Sequence, residues 1–92
     1  MNAMNEKKLY VWRLATFLRS NDKTMDGDEL ADHLNRNRFR TAQGTPFEHG
    51  RGIYKLIHET FNWINNELEL EDEAHKVASA YVQPDGKHAW DK

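Results

Sequence analysis

A mainly α-helical, winged helix-turn-helix-like fold is what these 92 residues predict, with three to four helices and a C-terminal β-hairpin. Three observations carry that expectation. Apolar residues recur at three- and four-residue intervals in several separate segments, the period of a helix buried along one face. Two of those segments are joined by a turn rich in arginine and glycine between Asn35 and Arg51, the layout of a helix-turn-helix with a lengthened connection. Near the end, aromatic residues flank Pro84-Asp85-Gly86, which is turn chemistry.

The first helix is expected over Asn5 to Ser20. Leu9, Val11, Trp12, Leu14, Ala15, Phe17 and Leu18 form a broad apolar stripe, Asn5 is its candidate N-cap, and Ser20-Asn21-Asp22-Lys23 stops it. A short second helix runs from Asp26 to Asn35. Carboxylates at Asp26, Asp28 and Glu29 suit its first turn, Met25 can pack back on Leu30, and Leu30, Ala31 and Leu34 are its buried face. Phe39 to Phe47 reads as extended or turned, since Gly44 permits positive φ and Pro46 biases Thr45 away from helix. The third helix, Arg51 to Glu67, has the cleanest period of all in Ile53, Leu56, Ile57, Thr60, Phe61, Ile64 and Leu68. Ala74, Val77 and Ala78 place a fourth, two-turn helix over Asp72 to Ser79. Tyr81-Val82-Gln83 and His88-Ala89-Trp90 are then the arms of the hairpin, with a frayed tail as the competing reading because a lone hairpin is marginal.

Length and composition bound the rest. Residues 1–92 make one domain, small enough that its ten aromatics matter to the core. With no cysteine there is no disulfide, thiolate metal site or thiol nucleophile, which fits a reducing cytoplasmic setting. No apolar run reaches the roughly 18 residues of a membrane span, and MNAMNEKK has no apolar core of a secretory signal, so neither membrane nor export is expected.

Charge is unevenly placed. Residues 33–58 hold Arg36, Arg38, Arg40, Arg51 and Lys55 against the single acid Glu48, a local balance of +4. The flanks carry −1 and −5, giving −2 overall. Nucleic-acid binding responds to the charge of the contacting face rather than to the sum. If Arg36, Arg38 and Arg40 alternate along an extended stretch, their guanidiniums leave one face and form a phosphate clamp. Thr41, Gln43, His49, Arg51 and Tyr54 lie beside it as further donors, and Arg51 and Lys55 are one helical turn apart behind Gly50-Arg51-Gly52. The competing reading is a solvated basic loop balanced by the acidic tail.

Other chemistry has little support. His33, His49, His58, His75 and His88 contain no i, i+4 pair, and His58-Glu59 lacks the second histidine of a zinc motif. Ser20 and Ser79 lack a nucleophile-elbow context. No metal, cofactor or enzymatic activity is therefore expected. The acids of residues 67–73 read as a solvated connection, or as a surface for a basic partner. Phe61 and Trp63 cannot both face inward on one helix, so one of them is expected against the C-terminal hairpin or a partner chain, which keeps a homodimer or protein partner open.

Ala31, Leu34-Asn35, Thr41, Gly44 and Phe47, followed by Ile53 and Leu56-Ile57, resemble the DNA-binding "recombinase" segment of large serine recombinases. That family's run is close to A-x-x-L-N-x-x-G-x-x-T-x-x-G-x-x-W and then a helix with V-x-x-I-L. Here Arg38 stands at the family's first glycine and the helix begins one residue later. About thirty residues are covered, and the family's catalytic serine domain is not among them, so strand cleavage is not implied. The resemblance implies a module whose turn and following helix face double-stranded DNA, in a regulator or recombination accessory factor of a phage or mobile element. The alternative is a protein-interaction module, an adaptor or inhibitor, using exposed Trp63 or Trp90 and the acidic segment.

Overall fold

The computed structural model of the chain describes residues 3–41, 43–48 and 51–82, with the side chains of residues 3–5 and of Arg51 outside that description. The described part is mainly α, with four helices and one two-stranded sheet. In order these are α1 (Ala3–Ser20), β1 (Met25–Asp26), α2 (Gly27–Arg36), α3 (Arg51–Asn62) running into a π-helical turn (Trp63–Glu67), α4 (Glu71–Ala80) and β2 (Tyr81–Val82). With the π-helical turn counted as the end of the third, the helices fall within a residue or two of where apolar spacing puts them.

α1 packs against both α3 and α4 along Val11, Ala15 and Leu18. Phe17, expected in the stripe, is instead 58% exposed. Six residues at 100° each put it about 120° round the helix from Val11, off the buried face. α1 ends where Asp22 turns left-handed (φ 55°) and the Lys23 N–H donates to the Leu18 carbonyl at 2.8 Å. That arrangement satisfies carbonyls the helix leaves open.

Asp26 caps α2 by accepting the Glu29 N–H at 2.8 Å. Met25 and Leu30, on either side of that cap, are buried in one cluster, as a staple across a helix start requires. Gly27 sits directly under α3. A Cβ there would lie 2.7 Å from the Tyr54 ring and 2.9 Å from Ile53, so only glycine lets the two helices approach. The Tyr54 hydroxyl accepts from the Gly27 N–H at 3.3 Å and donates to the Val82 carbonyl at 3.4 Å.

The third helix is not α-helical to Glu67. Its last turn widens, and the Leu68 N–H bonds the Trp63 carbonyl five residues back at 3.1 Å. Ile53, Leu56, Ile57, Thr60 and Ile64 keep the expected stripe buried, with the Thr60 hydroxyl satisfied by the Leu56 carbonyl at 2.8 Å. The extra residue in the turn shifts the helical phase of the positions after it, and Leu68 emerges 38% exposed. Among the described residues, Trp63 finds its ring partner on another helix, and residues 83–92, the rest of the expected hairpin, lie outside the description. Trp63 packs edge-on against Trp12 of α1 at 6.1 Å, while Phe61, on the other flank of the helix, meets His75 of α4 at 6.0 Å. Two helices, α1 and α4, thus accept the two rings that one helix cannot bury together.

α4 buries Ala74, Val77 and Ala80, small enough for close contact with α1. Tyr81 is fully buried, and its hydroxyl donates to the Val11 carbonyl at 2.7 Å. Tyr81–Val82, the described start of the first arm of the expected hairpin, has a strand partner elsewhere in the chain. It pairs in parallel with Met25–Asp26, in the register Met25 to Tyr81 and Asp26 to Val82. The rest of the expected hairpin, residues 83–92, lies outside the described residues. Among the described residues no helix is long and apolar enough to cross a membrane.

Candidate nucleic-acid interface

The connection between α2 and α3 is a shaped loop held at several points. Asn35 pairs with the backbone of Phe47 in both directions: its amide donates to the Phe47 carbonyl at 2.9 Å and its oxygen accepts the Phe47 N–H at 2.8 Å. Between these anchors the chain reverses. The Gly44 N–H donates to the Thr41 carbonyl at 2.9 Å, the Thr41 N–H donates to the Thr45 carbonyl at 2.8 Å, and the two threonine hydroxyls share a hydrogen bond at 2.7 Å. Gly44 supplies the left-handed residue of that reversal, with φ 84°. Asn35, Thr41, Gly44 and Phe47, four residues that carry the recombinase resemblance, thus fold the loop on itself.

The arginines ride on this loop, but not as a strand-like ladder. Arg36 closes α2, Arg38 is left-handed (φ 66°), and only Arg40 lies in irregular chain. The helix ends in a Schellman turn, with the Phe39 N–H on the Leu34 carbonyl at 3.0 Å and the Arg38 N–H on the Asn35 carbonyl at 3.1 Å. Alternation along an extended segment therefore does not set their directions. All three are nevertheless exposed, and among the described residues no carboxylate forms an ion pair with any of them. Arg40 donates to the Phe39 carbonyl at 2.7 Å, which holds its guanidinium close to the loop backbone.

The other expected contacts divide. Gln43 is exposed at the reversal. Lys55 is 80% exposed and sits 4.0 Å from Glu59 one turn on, a solvent-screened pair that leaves its charge available. Thr41 is half-buried with its hydroxyl on Thr45, and Tyr54 is half-buried with its hydroxyl between Gly27 and Val82, so both support the surface from within. Arg51 opens α3, its side chain outside the described part, and His49 lies outside the described residues altogether.

Lys7 was not a candidate from sequence, yet it stands at this loop. Its ammonium lies 5.7 Å from the centre of the Phe47 ring. One turn along α1, Tyr10 packs on Phe39 at 5.1 Å and its hydroxyl accepts the Asn37 amide at 2.9 Å. Nothing in the spacing of the chain couples Lys7 to a phenylalanine forty positions away; only the tertiary docking of the loop on α1 does.

The acids of the C-terminal third interact locally. Glu71 lies 3.7 Å from His75, and Glu73 lies 2.7 Å from Lys76 while accepting the Trp12 indole N–H at 3.1 Å. The hydrogen bonds from Lys76 and then Trp12, with the Lys76 charge, hold the Glu73 carboxyl below its ordinary value against a partial desolvation. Among the described residues no group of three or more His, Asp or Glu is placed to hold a metal ion.

No protein-family model, curated protein or solved structure matches the chain.

Proposed function

We propose that this chain is a small duplex-DNA-binding protein of the winged helix-turn-helix type, acting in the cytoplasm without a cofactor or enzymatic activity of its own. α2 and α3 form its helical pair. Arg36, Arg38, Arg40 and Arg51 engage phosphate, and Gln43, His49 and Lys55 reach toward a groove, while Thr41 and Tyr54 hold the loop and α3 in place. The recombinase-like run makes a regulator or recombination accessory factor of a phage or mobile element its natural setting.

The observation that carries this reading is three exposed arginines without a described carboxylate partner, on a loop pinned by the Asn35–Phe47 pair. Pre-ordering matters because a surface already held in shape loses less freedom on binding. If three or four phosphates are neutralised, log K falls against log salt with a slope of about −3 to −4. Replacing Arg38 and Arg40 together by alanine should weaken binding and flatten that slope. Unchanged binding by the double variant would remove the loop arginines from the mechanism.

One observation favours a second reading, a protein-interaction module. Leu68 and Leu70 are 38% and 43% exposed, set among the exposed acids Glu67, Glu69, Glu71 and Asp72. Trp63, turned against Trp12, contributes less to such a surface than its sequence position suggested. A titration with random-sequence duplex at low salt separates the two: no association near about micromolar concentration favours the adaptor, since non-specific duplex binding normally reaches that range.

A further inference from the structure

We infer that α1 forms a second wall of the phosphate-binding surface, with Lys7 as its contact, and that the surface takes a duplex backbone rather than unstacked bases. The inference rests on the DNA-binding reading and extends it to an element outside the helix-turn-helix.

Lys7 and Tyr10 are three residues apart on α1 and so share a face. That face meets the loop on both sides of the left-handed turn. Tyr10 contacts Asn37 and Phe39, the residues flanking Arg38, and Lys7 lies over Phe47, the residue Asn35 anchors. The ammonium is thereby set along the loop that carries Arg38 and Arg40. Among the described residues no carboxylate forms an ion pair with Lys7. Its aliphatic stem can rest on the half-buried loop while the charge stays hydrated, the usual posture of a lysine beside apolar surface.

The aromatics beside these cations decide the kind of nucleic acid. Proteins that hold single strands offer free ring faces on which bases stack. Here Tyr10 and Phe39 are half-buried against one another, and Phe47 is half-buried with Lys7 across its ring. Arg38 and Arg40 are exposed, whereas these three rings are half-buried and each already has a neighbour, an arrangement that suits phosphate along a double helix better than stacked bases.

The test is a salt titration of the full chain with a random-sequence duplex, repeated for Lys7→Gln, Lys7→Arg and Lys23→Gln. Lys23 is exposed beyond the other end of α1 and controls for loss of one positive charge. Losing one phosphate contact should reduce the slope by about 0.9 and raise Kd roughly eightfold at 0.1 M salt. Lys7→Arg should keep the wild-type slope, and Lys23→Gln should leave it unchanged. Thermal unfolding of Lys7→Gln checks that the loop is still folded. Wild-type binding with an unaltered Lys7→Gln slope overturns the role of α1 alone. A single-stranded oligothymidine that binds as tightly as the duplex overturns the backbone-only reading. Absence of wild-type binding at low salt takes down the DNA reading and this inference with it.

Discussion

Arg38 occupies a backbone conformation that L side chains avoid, at the position where the resembling family has glycine. Adjoining it, Asn37 and Phe39 are tied to α1, and the Schellman hydrogen bonds fix the turn, so the arginine is held there by its surroundings. A non-glycine residue in this region costs about 1 kcal/mol relative to glycine. Arg38→Gly should therefore raise stability by about 1 kcal/mol in urea unfolding while weakening duplex binding. Opposite signs from one substitution would mark a residue whose side chain matters to binding and not to folding. If stability falls instead, the guanidinium stem contributes packing that exposure alone does not reveal. Asp22 and Glu69 are left-handed too, each just past a helix end, so the chain repeatedly closes helices with charged residues instead of glycine.

At the scale of elements, the loop between α2 and α3 depends on one side chain. Asn35 makes two hydrogen bonds to Phe47, and each is worth about 1 kcal/mol net. Asn35→Ala should destabilise the domain by about 1–3 kcal/mol. Hydrogen exchange of the loop amides should rise more than that of α1 or α4, because the anchor is local. Uniform loss of protection would show instead that the loop unfolds only with the whole domain. The same region shows where sequence reading stops. The four helices were legible because a buried stripe repeats with the helical period inside each segment, and Asp26 was legible as a carboxylate at a helix start, one residue from its place as the cap, because that preference is local chemistry. The left-handed Arg38 was not, since an arginine in that conformation is imposed by long-range contacts of Asn37 and Phe39. Neither was the π-helical turn, where Trp63 and Phe61 pack on different helices, nor Lys7, whose place depends on how α1 docks. Exposure of the loop arginines came from composition; their directions did not, because the alternation argument needs a strand where a helix end and a turn stand.

For the whole molecule, two titrating groups join distant segments and make its stability depend on pH in opposite directions. Glu73 links α4 to Trp12 of α1, and its folded value lies below the ordinary 4.5. Its contribution is therefore present above about pH 4.5 and is lost as pH falls through the depressed folded value. Tyr81 works at the other end. Burial, with a smaller effect of the nearby Tyr10 charge, raises its folded value well above 10.0. The unfolded chain releases that proton above pH 10 and the folded one does not, so stability is full below 10 and declines as pH rises beyond it. Urea midpoints across pH should show a plateau with a falling limb on each side. Glu73→Gln should flatten the acid limb, and Tyr81→Phe should soften the alkaline one. An acid limb unchanged in Glu73→Gln would assign it to other carboxylates.

The parallel pairing of Met25–Asp26 with Tyr81–Val82 brackets everything in between like a clasp on a purse. Chain from Gly27 to Ala80, the arginine-bearing connection included, lies inside a circuit that a distant strand closes. Contacts of such long reach are slow to assemble, because the circuit's entropy is surrendered before the pairing is gained. A fragment cut to the two helices and their connection would forfeit Tyr54's bond to Val82 and Tyr81's seat under α1. Grafting this module onto another scaffold thus requires carrying the clasp along with it.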